Sequence, residues 1–230
     1  MEVKAFVEAT ITVELEGVEN ASFTRCITFV FGGNGGDTPP SAPISTVVTF
    51  TDKKGTANLT NVPACVDWTC ITAKDRLHTL SSKVALSTSG GKYTASFEGT
   101  DKLIGGDLTD DNMIDILDFG AFSGKWGQTQ GKDTTCATVP PTRHADISGN
   151  ATVGVEDFSF IQIHFVTTGD LACGNAASVA SVGAGPRSSV SVRELAKIIG
   201  LRDAANADVN RDGIVDMTDV KLFLQQRMSK

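Results

Sequence analysis

The chain has 230 residues, of which 40% are hydrophobic and 20% are charged, and its formal net charge is −7. This length is enough for two compact domains. A nucleic-acid-binding protein needs a basic surface, so the acidic balance argues against nucleic acid as a partner. No run of about eighteen apolar residues is present that could cross a membrane as a helix.

The first half of the chain alternates between apolar and polar side chains, which is typical of strands rather than helices. Strand-like runs cover residues 3–15, 23–31, 45–51, 55–59, 69–73 and 93–97. Turn residues separate these runs, most visibly in the glycine-rich segment 32–36. Six or seven short strands punctuated in this way predict a β-sandwich over residues 1–102.

One hairpin of this half resembles a known family. The stretch FTDKKGTANLTNVPA, at 50–64, is similar to prealbumin-like surface-protein domains and carboxypeptidase regulatory-like domains. Those domains carry T-D-x-x-G followed by V-P-x-G, and Cys65 stands here near the place of the last glycine. The resemblance implies a rigid extracellular spacer without chemistry of its own. A carbohydrate-binding role ranks last, because Trp68 and Tyr93 are the only Trp and Tyr residues of this half.

Three stretches of the second half place oxygen-bearing side chains at the spacing of a calcium loop. They are DLTDDNMIDILD at 107–118, DISGNATVGVED at 146–157 and DVNRDGIVDMTD at 208–219. Each has Asp at positions 1 and 12, a small oxygen donor at position 3 and Asp or Asn at position 5. A twelve-residue loop gives calcium oxygens from positions 1, 3, 5, 9 and 12 and from the carbonyl at position 7.

This spacing defines the predicted ligands of two to three calcium ions. In loop one they are Asp107, Thr109, Asp111, Met113, Asp115 and Asp118. In loop two they are Asp146, Ser148, Asn150, Thr152 and Asp157, since Gly154 at position 9 has no side chain. In loop three they are Asp208, Asn210, Asp212, Ile214, Asp216 and Asp219.

The residue at position 6 ranks the three loops. The sharp turn there favours positive φ, which Gly213 of loop three adopts freely. Asn112 of loop one tolerates this conformation, whereas Ala151 of loop two is strained by on the order of 1 kcal/mol. Loop two also has only two carboxylates, Asp146 and Asp157. We therefore expect calcium affinity to decrease from loop three to loop one to loop two.

The three loops resemble dockerin, a calcium-dependent module that pairs with cohesin domains on secreted bacterial and archaeal proteins. All end in Asp rather than Glu, and each leads out into an apolar run without a clear helix leading in; residues 207–220 match best. A degenerate repeat at 183–195 keeps Val190 at position 8 and Glu194 at position 12. It lacks the acids at positions 1, 3 and 5, so we expect no metal there.

Standard dockerins have two repeats, so the resemblance implies two dockerin-like pairs, at 103–175 and 176–230. The predicted fold class is α+β multidomain, with an N-terminal β-sandwich followed by α-helical dockerin-like modules. Positions 10 and 11 of a dockerin loop often meet the partner. These are Ile116–Leu117, Val155–Glu156 and Met217–Thr218. We expect Ile116–Leu117, the most hydrophobic of them, to be the contact patch, with burial of Ile116 in the core as the alternative.

Five cysteines and the calcium loops point to an oxidising compartment. Cys136 and Cys173 bracket loop two, so we expect them to pair, with Cys26 pairing to Cys65 or Cys70. Five free buried thiols are the alternative. Extracellular modules typically use calcium loops of this kind. We therefore expect a secreted or cell-surface protein whose leader has been removed, since residue 1 opens directly into a strand-like run.

No active site is predicted. The histidines His78, His144 and His164 belong to no nucleophile-elbow motif, no glycine-rich phosphate loop is present, and we expect His78 to be solvated. The aspartates that could imitate a glycosidase pair are needed as calcium ligands.

The expected function is a non-catalytic extracellular assembly protein that associates in a calcium-dependent way. The partner is either another copy of this chain, giving a filament, or a cohesin-type domain. Self-association is suggested by the apolar segments 119–126 and 158–166, which exceed what a small domain can bury. The alternative function is the dockerin-bearing C-terminal fragment of a secreted hydrolase that docks on a cohesin-type scaffold.

Overall fold

The structure of the protein is a computed structural model that describes residues 6–17, 22–33, 40–64, 67–137, 144–173 and 185–228. The first part of the chain forms eight strands: β1 Phe6–Glu14, β2 Phe23–Gly33, β3 Ile44–Thr51, β4 Lys54–Pro63, β5 Trp68–Asp75, β6 Ser82–Ala85, β7 Ser87–Ser89 and β8 Lys92–Phe97. Alternate residues of these strands point inward, as the pleat of a strand requires. Ile11, Phe29, Phe50, Ile71 and Phe97 are among the fully buried ones.

All eight strands belong to a single sheet, in the order β6-β5-β2-β3-β4-β1-β8-β7. Neighbours are antiparallel except β1 and β8, which run parallel with Ala9 opposite Tyr93 and Val13 opposite Phe97. Strands β6 and β8 also contact each other, so the sheet is curled until it is nearly closed. The core of this part is the inner face of one sheet packed on itself.

The predicted fold class, an α+β multidomain with a β-sandwich and α-helical modules, is wrong. The protein is predominantly β, with 24% of its residues helical, and its strands form one nearly closed sheet. The six predicted strands are present, because alternation identifies the inward-facing residues. Alternation is the same for two stacked sheets and for one curled sheet, so it did not distinguish them. Strands β6 and β7 were missed because residues 81–89 are rich in serine and mostly exposed.

The second part contains five short helices and two small ladders among its described residues. The helices are α1 Ile116–Ser123, α2 Val155–Ile163, α3 Val192–Ile199, α4 Leu201–Ala207 and α5 Met217–Met228. The ladders pair β9 Met113–Ile114 with β10 Thr167–Thr168, and β11 Ser189–Ser191 with β12 Ile214–Asp216. None of the described helices has the length and apolar character needed to traverse a membrane.

Helices α1, α2 and α5 all begin at position 10 of a loop. In α1 the capping box explains the start: the Asp115 side chain accepts the backbone N–H of Leu117, and the Asp118 side chain accepts that of Asp115. The start of each exit helix is thus fixed by the loop that precedes it.

The helices share one apolar core, which the ring of Phe119 joins by edge-on contacts with Phe158 and Phe223 at 6.4 and 5.6 Å. Ile116 and Leu117 belong to this core and are 0% and 3% exposed. The prediction that they form the contact patch is therefore wrong, and the alternative, burial of Ile116 in the core, is confirmed. The apolar side chains of segment 119–126, which suggested self-association, are likewise buried or half-buried, whereas segment 158–166 leaves Ile163 and Val166 73% and 56% exposed.

The small ladders show how the loops pair. Val190 lies opposite Val215, so the degenerate repeat and loop three meet at their eighth positions, in the register read from the sequence. Ile114 of loop one lies opposite Thr167, whereas the N–H of Val153 in loop two donates to the Gln128 carbonyl and its carbonyl accepts the N–H of Gly127. Loops one and two therefore do not meet at their eighth positions.

Two disulfides connect the sheet to the segments on either side of loop two. Cys26 of β2 pairs with Cys136, and Cys70 of β5 pairs with Cys173. The predicted pairing of Cys136 with Cys173, and of Cys26 with Cys65 or Cys70, is wrong. Cys136 and Cys173 flank the same loop but are bonded to two different strands of the sheet. Cys65 lies outside the described residues.

Peptide mapping without reduction should recover Cys26–Cys136 and Cys70–Cys173. Replacing Cys70 and Cys173 together with serine should lower the free energy of unfolding by about 4–5 kcal/mol, because the bond closes a loop of 103 residues separation. Denaturant melts of the variant and the oxidised wild type measure this difference. A linked Cys136–Cys173 peptide, or equal stabilities, contradicts the assignment.

Candidate metal-binding loops

Each candidate loop is closed by the aspartate at its twelfth position. The Oδ1 atom of Asp118 accepts the backbone N–H groups of Leu108 and Thr109 at 2.8 and 3.0 Å. Its Oδ2 atom accepts the N–H of Asp115 at 2.8 Å. In the same way Asp157 accepts from Ser148 and Gly154, and Asp219 from Val209, Asn210 and Asp216. Carboxylate oxygens bonded in this way keep lone pairs with which to bind a cation.

The aspartate at the first position organises the other half of each loop. Asp208 accepts the N–H groups of Asp212 and Gly213 at 3.1 and 3.0 Å. Asp107 and Asp146 likewise accept the N–H at position 6, each at 2.9 Å. At position 5, Asp111, Asn150 and Asp212 accept the N–H at position 7, at 2.8–3.0 Å. All three loops therefore fold on one hydrogen-bond framework, with the twelve-residue register found in the sequence.

The remaining predicted ligands occupy equivalent places in the loops. The hydroxyls of Thr109 and Ser148 at position 3 donate to Asp118 and Asp146. At position 7, where the carbonyl is the predicted ligand, Met113 lies in β9, Ile214 in β12, and Thr152 forms an isolated bridge with Thr129.

Backbone dihedral angles repeat in the same way. At position 6, φ is +65° for Asn112, +71° for Ala151 and +88° for Gly213. The expected strain at Ala151 is therefore present, because an alanine side chain is disfavoured in this region. Position 4 also has positive φ in every loop, at Asp110, Gly149 and Arg211, which the sequence did not reveal.

Loop one concentrates buried negative charge. Asp107, Asp115 and Asp118 are fully buried. Burial raises the pKa of Asp118 well above its usual range, and the nearby Asp107 carboxylate adds to this rise. Burial also raises the pKa of Asp107, and its Oδ1 atom is buried without a hydrogen-bond partner. A buried oxygen without a donor is costly, and a cation would satisfy it.

No three Asp, Glu, His or Cys side chains of the described residues converge closely enough to enclose an ion. Calcium loops also use hydroxyl, amide and carbonyl oxygens, which complete the set of donors around fewer carboxylates. The residues thus fit a calcium ion by donor type, by the repeated framework and by the unpartnered Asp107 oxygen.

Two cations at the end of strand β5, Lys74 in the strand and Arg76 just after it, contact loop one. The ammonium of Lys74 lies 2.8 Å from Asp107 Oδ2 and 3.0 Å from Asp110 Oδ1. The guanidinium of Arg76 lies 2.6 Å from Asp110 Oδ2. Lys74 and the backbone N–H of Asn112 both bind the Oδ2 atom of Asp107, which leaves the Oδ1 atom without a hydrogen-bond partner.

Loop two rests on a buried polar network of the sheet. Arg25 of β2 is 1% exposed and donates to the backbone carbonyl of Asp146 at 2.8 Å. His78 lies 2.6 Å from Asp75 through Nδ1 and 2.8 Å from His144 through Nε2. Burial, reinforced by the Arg25 charge, lowers the pKa of His78 to about 3. His78 is 2% exposed, so the expectation that it is solvated is wrong.

Loop three is the most open of the three. Asn210 and Asp212 are exposed, whereas Asp219 is fully buried. The backbone N–H of Thr218 binds Asp216 at 2.6 Å and lowers the pKa of that carboxyl. Loop three therefore presents carboxylates at a surface that an ion in solution can reach.

Comparisons with known proteins do not identify a family for this chain. No family model matches the chain, and no curated protein is significantly similar to it. Among solved structures, a chain from an N-terminal interface mutant of a type II cohesin–X–dockerin complex of Acetivibrio cellulolyticus is similar. It is 13% identical, with a TM-score of 0.43, and the match covers 70% of this chain and 97% of that chain. A likeness of this size carries no argument about this protein.

Two opposite substitutions test the role of position 6. Ala151→Gly should stabilise the protein by about 1 kcal/mol, and Gly213→Ala should destabilise it by a similar amount. The reason is that positive φ is strained for alanine and unstrained for glycine. Open space surrounds a Cβ added at Gly213, so no clash contributes. Denaturant melts in calcium give both values. Two shifts of the same sign would contradict the conformational explanation.

Arg25→Met should lower the free energy of unfolding by about 3–5 kcal/mol. The substitution leaves the buried Asp75 carboxylate without a nearby cation and the Asp146 carbonyl without its donor. The matched variant Arg76→Met removes an exposed pair and should cost about 1 kcal/mol or less. Denaturant melts at neutral pH compare the two, and equal costs would show that the network does not support the fold.

Proposed function

We propose that this chain is a non-catalytic extracellular calcium-binding protein whose dockerin-like loop–helix repeats associate with a protein partner when calcium is bound. The observation that carries the proposal is the framework of backbone N–H groups and aspartates repeated in loops one, two and three. Turn preference alone explains isolated aspartates but not one hydrogen-bond pattern at three places. Calcium supplies positive charge among these oxygens when it is bound.

The chain itself prepares each loop for such an ion. The aspartate at position 12 holds the first turn of the loop and the start of the exit helix at once. In loop one, the raised pKa values of Asp107 and Asp118 reflect burial of negative charge. A bound cation reverses that cost, so calcium binding should add to folding stability.

An extracellular location agrees with the covalent structure. Two disulfides connect distant parts of the chain. Such bonds persist in oxidising compartments and are uncommon in the cytosol. Calcium loops with several carboxylates also suit the calcium concentrations found outside cells.

The surface available to a partner differs from the one predicted. Ile116 and Leu117 are buried, whereas Met217 is 40% exposed and Thr218 beside it is also exposed. Val155 at the start of α2 is 44% exposed. Since the phenylalanines of these helices are buried within the chain, we favour a separate protein, such as a cohesin-type domain, over another copy of this chain as the partner.

Asp219→Ala should reduce the number of bound calcium ions by one. Calorimetric titration measures the number, with Asp101→Ala, an exposed aspartate outside the loops, as the matched control. The variant should also lose about 1–3 kcal/mol of stability, because three backbone N–H groups lose their acceptor. Unchanged ion number with unchanged affinity would remove Asp219 from the ligand set.

Met217→Asp should abolish calcium-dependent association while leaving the fold intact. The substitution places a charge on the exposed start of α5, which a partner would have to bury. Leu171→Asp, at a residue 52% exposed elsewhere, is the control. Binding to an immobilised cohesin-type domain, and light scattering of the chain alone, are measured with calcium and with chelator. Scattering that rises with calcium would favour self-association, and no association in either assay would contradict the docking role.

A further inference from the structure

A groove of about 480 Å³ lies between the end of α1, helix α4 and the last turns of α5. Its volume is within the range of ligand sites in proteins. It lies at the start of loop three, whose Asp208 is part of the lining, but its other lining residues belong to no loop ligand set. No part of the calcium scheme accounts for these residues.

The groove is basic although the protein is acidic. Its lining includes four cations, Lys125, Arg202, Arg211 and Arg227, against the two acids Asp203 and Asp208. The overall charge of the chain is −7, so this is a local reversal of sign. A concave basic surface concentrates anions near it.

Both acids of the groove are already engaged. The Asp203 carboxylate lies 2.9 Å from the ammonium of Lys125. The Asp208 carboxylate accepts the backbone N–H groups of Asp212 and Gly213. Within the described part of the chain, Arg202, Arg211 and Arg227 form no ion pair, and all three are exposed. The groove therefore holds three guanidinium groups whose charge no described acid neutralises.

One aromatic residue contributes to the recognition surface. Trp126 is half-buried in the groove and packs edge-on against Phe223 at 5.2 Å. The guanidinium of Arg227 lies over the Phe223 ring at 5.7 Å. Phe223 is only 4% exposed, so no row of open aromatic faces is available on which sugars could stack. Guanidinium groups instead bind carboxylates by paired hydrogen bonds.

We propose that this groove binds an acidic segment of a protein partner, in which Asp or Glu side chains are held by Arg202, Arg211 and Arg227. Three guanidiniums from separate elements can receive carboxylates that succeed one another along a peptide. The methylene groups of these Asp or Glu side chains would lie against Trp126, which lines the groove. Because the arginines need no metal to carry their charge, this inference is separate from the calcium proposal.

The test uses the full chain, a hexaglutamate peptide and a trigalacturonate, each at a calcium concentration that the ligand does not deplete. Titration is followed in ¹H–¹⁵N spectra through the indole N–H signal of Trp126. The indole of Trp68, which donates to the Pro63 carbonyl at 2.7 Å within the sheet, is an internal reference that should not move. Hexaglutamate should shift the Trp126 signal, and the affinity should decrease as salt is raised.

The double variant Arg202→Gln with Arg227→Gln should weaken hexaglutamate binding by about tenfold, since each exposed charged contact contributes a few-fold. Arg193→Gln, an exposed arginine of α3 outside the groove, should leave the affinity unchanged. Equal loss of hexaglutamate affinity in both variants would show that binding depends on the overall charge of the protein and not on the groove. Binding of trigalacturonate without hexaglutamate would overturn the protein segment in favour of an acidic sugar. No shift of the Trp126 signal with either ligand at low salt would overturn the groove as a site.

Discussion

The rest of the second half depends on the aspartate that ends each loop. Its two oxygens bind backbone N–H groups from the beginning of the loop and from the residue just before the exit helix. A single side chain therefore sets both the curvature of the loop and the first turn of the helix. The helices are only 8, 9 and 12 residues long, which is too short for independent stability in water. Their order comes from this closure and from the apolar core they share.

The sheet and the loops are joined by polar contacts rather than by a simple linker. Lys74 and Arg76 neutralise part of loop one, and Arg25 supports the backbone of loop two from inside the sheet. These contacts bring basic residues of the first half to acidic residues of the second. The two halves are therefore electrostatically complementary, and a change in the charge of a loop will change the strength of its ion pairs with the sheet.

The sequence predicted the local features well and their arrangement poorly. The spacing of aspartates gave the register of all three loops, because each position has a distinct chemical requirement. The equivalence of Val190 and Val215, both at position 8, also followed from that spacing, whereas their pairing in a ladder was not predicted. The curled sheet and the disulfide partners could not be read from it, because each depends on which segments lie side by side. Arg25 and Lys74 resembled ordinary strand residues, and only their contacts across the chain distinguish them.

The bond between Cys70 and Cys173 has a mechanical consequence. Residues 70 and 173 enclose loops one and two within a covalent ring, whereas loop three lies beyond it. Tension between residue 26 and α5 has two covalent routes to residue 173: through β5 and the Cys70–Cys173 bond, or through the Cys26–Cys136 bond and loop two. Loop one lies on neither route, and loop three lies beyond both. The two bonds therefore shield loop one from a tension that loop three would carry in full.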